Sequence, residues 1–102
     1  MDKVKMDAQR EVAIMERAIS TYGEGAQVDV AIEEMSELTK ALLKFRRGGW
    51  NECSALYIDA IREEMADVSI MLSQLELIYG DVSDIEAEKL ERLERRLDEL
   101  GA

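Results

Sequence analysis

The chain has 102 residues, no histidine, no proline, one cysteine and a formal net charge of −10, from 13 basic and 23 acidic side chains. The length leads us to expect one domain, residues 1–102, and the missing imidazole removes Ser-His-Asp and Cys-His relays, His-ligated zinc and a histidine base. Excess acid repels a phosphate backbone, so no nucleic-acid partner is expected, and divalent cations are the more natural guests.

Met1 to Arg10 is charged and carries no apolar run of the signal-peptide kind, and no stretch is apolar for long enough to span a membrane. Cys53 has no second cysteine to pair with, which fits a reducing compartment. A cytoplasmic protein is expected. The first helix is predicted at roughly residues 4–21, with Val4, Ala8, Val12, Met15 and Ile19 as its core-facing stripe. The second follows at roughly 26–46, where Val28, Ala31, Ile32, Met35, Leu38, Leu42 and Phe45 recur at helical spacing and Gly48-Gly49 makes the break. The third runs from roughly 53 to 79 on Leu56, Ile58, Ile61, Met65, Val68, Leu72, Leu75 and Tyr79, and stops at Gly80. Ser83 to Glu86 has the form of a capping box, so the fourth helix is expected at roughly 84–99.

Aromatic and β-branched residues are too few, and too seldom alternating, for a sheet. Short connections make neighbouring helices antiparallel, so the expected fold is all-α, a four-helix antiparallel bundle-like domain. Four unequal helices in about 100 residues make a thin core, and six methionines offer a soft apolar surface to another copy. A homo-oligomer, dimer or tetramer, is therefore expected. In the fourth helix Leu90, Leu93, Leu97 and Leu100 follow the 3-4-3 spacing of a coiled-coil seam, but over fewer than two heptads. The simpler expectation is that this helix packs on its own domain.

Most of the acids read as solvated surface. Glu86, Glu88, Glu91, Glu94, Asp98 and Glu99 alternate with Lys89, Arg92, Arg95 and Arg96 as an exposed helix face does. The central helices differ. In Glu33-Glu34-Met35-Ser36-Glu37, Glu34 and Glu37 are three apart and Glu33 and Glu37 four apart, so their side chains converge at the margin of the apolar stripe. Glu64 and Asp67 are also three apart, and both fall within or beside the apolar arc of the third helix. A buried carboxylate needs a partner or a metal. Folding back at Gly48-Gly49 brings Glu34, Glu37, Glu64 and Asp67 towards one another, and all-oxygen ligation suits Mg²⁺ or Mn²⁺. The competing arrangement is a salt-bridged or water-filled polar seam, with Lys40, Lys44 and Arg62 as counter-charges.

At these residues the chain resembles the MazG-like family of all-α nucleoside triphosphate pyrophosphohydrolases. The family pattern is E-E-x-x-E on one helix and E-x-x-D on the next, here Glu33-Glu34-x-x-Glu37 and Glu64-x-x-Asp67. Tyr22-Gly23 and Gln27 before the first motif, Leu38 to Lys40 after it, and the basic terminal helix from Lys89-Leu90 to Arg96 extend the likeness over about residues 11 to 97. The resemblance implies cleavage of a (deoxy)nucleoside triphosphate to the monophosphate and pyrophosphate, with Mg²⁺ held by Glu34, Glu37, Glu64 and Asp67. It also implies Glu33 or Glu37 as the group that orients or deprotonates the attacking water. Lys40, Lys89, Arg92 and Arg96 are the candidate phosphate contacts, and Tyr22 and Gln27 the candidates for the base. Trp50 is either a further stacking surface or a plug for the turn. Relatives carry Asn or Tyr four residues after the E-x-x-D aspartate, where this chain has Met71. Two alternatives stand beside this reading: a phosphoribosyl-ATP pyrophosphohydrolase-like enzyme, and a non-catalytic helical oligomerisation or adaptor module.

Overall fold

The computed structural model describes residues 5–49 and 54–102; Trp50 and Cys53 lie outside them. Among the described residues there are four helices and no strand. They are α1 (Ala8–Tyr22), α2 (Glu24–Lys44), α3 (Ser54–Tyr79) and α4 (Ser83–Glu99). No helix among the described residues is long and apolar enough to cross a membrane.

Local chemistry sets the boundaries. The Asp7 carboxylate caps α1 by accepting the Arg10 N–H at 2.8 Å, one of the donors a helix start leaves unpaired. A single residue then separates α1 from α2, where the expected bounds leave residues 22–25 between the helices. Gly23 alone makes the corner, at φ 95°, a left-handed conformation that favours glycine, and its N–H still reaches Ile19 O at 2.8 Å. Gly25 stays inside α2. The helix widens into a π turn over Phe45–Gly49, which breaks at Gly48, the expected position.

The fourth helix starts differently from the expected capping box. Asp81 accepts both the Ser83 N–H, at 3.0 Å, and the Ser83 hydroxyl, at 2.8 Å. Val82, not Ser83, is the N-cap residue, and the Glu86 N–H goes to Val82 O at 2.8 Å. The same two bonds from Ser83 hold the Asp81 carboxyl below its usual 3.8.

Helices α2 and α3 form the heart of the molecule. Near the start of α2, Gln27 donates from Nε2 to Gln74 Oε1, near the end of α3, at 2.6 Å. Two turns further along α2, Glu34 meets Glu64 and Asp67, two turns or more back along α3. Pairing of early with late residues makes the helices antiparallel, as expected. Between the amide layer and the carboxylate layer lies the apolar core, Ala31, Val68 and Met71. Ala31 is 1% exposed, so no larger side chain fits at this point of the seam without displacing its neighbours. Gln27 and Gln74, at 6% and 4%, are tolerated in this seam because each amide answers the other.

Much of the expected core is on the surface. Met35, Leu42, Leu56, Ile58, Met65, Leu72 and Tyr79 are all exposed, because the apolar arcs of α2 and α3 are wider than the one seam they share, and Val12 of α1 is exposed as well. Helix α1 rests against α2 and α3, but α4 contacts none of the other helices, against the expectation that it packs on its own domain. The radius of gyration is 17.2 Å, against about 13 Å for a compact chain of ~100 residues. The projecting α4 and the open apolar faces account for the difference.

Candidate metal centre

The antiparallel register of α2 and α3 builds one cluster of carboxylates. One oxygen each from Glu34, Glu64 and Asp67 lies within 4.8 Å of the others. Helical spacing places Glu64 and Asp67 one turn apart on α3, and the partner helix supplies Glu34 between them. Glu34 and Glu64 are half-buried and Asp67 is exposed, so the cluster opens to solvent on one side and is closed by the helix seam on the other.

Its electrostatics are unfavourable as they stand. Partial desolvation, then the charges of Asp67 and Glu64, raise the Glu34 carboxyl above its usual 4.5, and hydrogen bonds to both neighbours stabilise its protonated form. Glu64 Oε2 is buried with no hydrogen-bond partner, which is costly for a carboxylate oxygen. Among the described residues the one ion pair is Lys40 with Glu37 at 3.4 Å, so neither Lys40 nor Lys44 nor Arg62 pairs with the three carboxylates. The donor set, all oxygen and all acidic, fits a hard divalent cation such as Mg²⁺.

Three of the four proposed ligands thus come together. Glu37, three residues beyond Glu34, is rotated ~60° further round α2; it is exposed and bonded to Lys40. Glu33 is exposed on the same helix. Tyr22 is 69% exposed at the end of α1, two residues from the start of α2. Gln27 is buried against Gln74 instead of lying open to a ligand. Lys89, Arg92 and Arg96 all stand on α4, clear of the helices that carry the carboxylates. Met71 belongs to the core. Gln74 was missed in the sequence, although the signal was there: a lone amide seven residues after Asp67, and so on the same face two turns on.

The raised Glu34 carboxyl has a measurable consequence in metal-free protein. An acid whose value rises on folding contributes stability below its unfolded value, and this contribution is lost as pH rises through the folded one. With EDTA present, the melting temperature of the wild type relative to Glu34→Gln is therefore expected to fall as pH rises from about 4.5 towards neutrality. A difference independent of pH would show that Glu34 ionises normally.

Comparison of the chain with protein-family models, with curated proteins and with solved structures gave no match.

Proposed function

We propose that this chain is a Mg²⁺-dependent nucleoside triphosphate pyrophosphohydrolase of MazG-like type, forming the nucleoside monophosphate and pyrophosphate. The observation that carries the reading is the group Glu34, Glu64 and Asp67, three carboxylates within 4.8 Å to which no cation among the described residues is paired. The class of reaction comes from the motifs on which they sit, Glu33-Glu34-x-x-Glu37 and Glu64-x-x-Asp67.

Glu34, Glu64 and Asp67 would hold the metal. Bound there, Mg²⁺ supplies the positive charge that lets an acidic protein accept a triphosphate and that offsets charge on departing pyrophosphate. Glu37 and Glu33, exposed beside the triad, are the bases available to take a proton from water attacking the α-phosphorus as the α–β anhydride bond breaks. Lys40, held by Glu37 at 3.4 Å, is the cation best placed to reach a phosphate oxygen, and Tyr22 offers a ring for the base. The α4 cations do not enter this reading of a single chain.

The same reading includes self-association. Helical phase in an antiparallel pair puts Ile32, Met35 and Leu42 of α2 on the same side as Ile58, Met65 and Leu72 of α3, and all six are exposed. A second copy covering that face would complete a four-helix bundle. These exposed faces also favour the second reading, a non-catalytic association module, and one assay separates the two. Purified chain with Mg²⁺ is expected to release pyrophosphate from at least one member of a panel of canonical and modified nucleoside triphosphates and phosphoribosyl-ATP. Asp67→Asn should lower that release about 10²- to 10³-fold, the several kcal/mol that bound metal contributes to such reactions. No release across the panel would leave the association module as the function.

A further inference from the structure

We propose that α4 is a self-association helix that pairs in parallel with the α4 of a second copy of this chain. The inference is independent of the metal reading. It starts from an anomaly of the fold: a strongly amphipathic helix of 17 residues that touches none of α1, α2 or α3. A solitary helix of this length is marginal in water, and its apolar stripe is bare. Leu90 is 63% exposed and Leu100 80%, and Leu93 and Leu97 are exposed between them.

The arrangement of the stripe selects the occupant. Leu90, Leu93, Leu97 and Leu100 alternate three and four apart, which is the a and d pattern of a coiled-coil seam; Glu86, at the preceding seam position, ends the apolar run. The two borders of the stripe differ in charge. Lys89, Arg92 and Arg96 lie along one border, which ends in Glu99, and Glu91, Glu94 and Asp98 lie along the other.

When two such helices pack in parallel, the basic border of each meets the acidic border of the other, and Lys89 faces Glu94 of the second copy five residues on. When they pack antiparallel, the acidic borders with Glu91, Glu94 and Asp98 meet each other, and the basic borders meet with Glu99 as the one acid among them. The helix therefore matches itself better in parallel. Parallel pairing sets the two Gly80 turns side by side. The carboxylates lie 13 to 16 residues back along α3, roughly 20 to 24 Å from that turn, so pairing leaves the candidate metal centre untouched.

Cross-linking reads the orientation directly. In the 102-residue chain carrying Cys53→Ser, which removes its one cysteine, Leu90→Cys, Leu93→Cys and Leu100→Cys are made singly, with Arg95→Cys on the outer face as control. Each of the three seam variants should oxidise to a disulfide-linked dimer, and the control should not. If the single variants fail while a mixture of Leu90→Cys and Leu100→Cys cross-links, the pair is antiparallel and the proposal is wrong. If none cross-links beyond the control, α4 serves another partner and the proposal is equally wrong.

Sedimentation equilibrium supplies the second measurement. Lys89→Glu and Glu94→Lys should each weaken self-association about tenfold, two border contacts per dimer turning repulsive, and the double variant should recover most of the loss. A surface lysine with any other role would not be rescued by a change at Glu94. Because α4 touches no other helix, circular dichroism should show α1 to α3 intact in every variant. Equal association of all four proteins would overturn the inference.

Discussion

Replacing Glu64 with Gln is expected to raise the melting temperature of the metal-free chain and to erase the further rise that Mg²⁺ brings to the wild type. Both effects follow from one atom. Glu64 Oε2 is buried without a donor, in a group where Glu34 is already pushed towards its protonated form by its neighbours. An amide removes one of three crowded charges and brings two N–H donors among carboxylate oxygens. The metal-free chain gains. The same change removes an anionic ligand, and a hard dication at a site of two carboxylates loses the charge that repays its dehydration. At about 100 times its Kd, Mg²⁺ should add about 2.7 kcal/mol to the wild type, a rise on the order of 10 °C in a domain of this size. Thermal melts with EDTA and with Mg²⁺ give both numbers. A salt-bridged seam predicts the opposite sign without metal, because a cation would then lose its partner. Equal Mg²⁺-dependent rises in the two proteins would remove Glu64 from the site.

The parts of this molecule that were legible in the sequence are those governed by helical phase and by glycine. Glu34, Glu64 and Asp67 could be placed together because Gly48-Gly49 folds α2 back on α3 and because spacings of three and four define a face. Glu37 passed the same spacing test, yet its ~60° offset from Glu34 turns it away from the seam to Lys40, and only the position of the seam's centre decides between them. Gln27 looked free for a ligand because nothing in a linear pattern announces that Gln74 lies opposite. Ser83 has the look of an N-cap, yet Val82 takes that position and Ser83 is already helical, its N–H and hydroxyl both donated to Asp81 two residues back. The leucines of α4 mark an apolar stripe unambiguously, but a stripe does not say whether its cover comes from the same chain. That depends on the three-residue connection from Gly80 to Val82 and on what faces the other helices already offer.

The dependence of the centre on the seam yields the other large effect, at a residue that carries no chemistry. Ala31 is 1% exposed and lies with buried Val68 and Met71 in the layer between the Gln27–Gln74 pair and the carboxylates. Ala31→Leu adds three carbon atoms to a fully buried point of the seam, and overpacking of this kind costs about 1 to 3 kcal/mol, a fall on the order of 10 °C here. The added volume must separate α2 from α3 or rotate one against the other. Either motion opens the 4.8 Å spacing of the carboxylates, and Mg²⁺ demands near-octahedral oxygens at about 2.0 to 2.1 Å. The variant should therefore retain all three acids and most of its helicity, yet lose the Mg²⁺-dependent rise in melting temperature. Ala31→Gly provides the contrast: it costs about 1 kcal/mol through helix propensity but lets the helices stay close, so the Mg²⁺ response should survive. If Ala31→Leu kept the full Mg²⁺ response, the separation of the two helices would not be what positions Glu34 against Glu64 and Asp67, and the acids of α3 alone would have to account for metal binding.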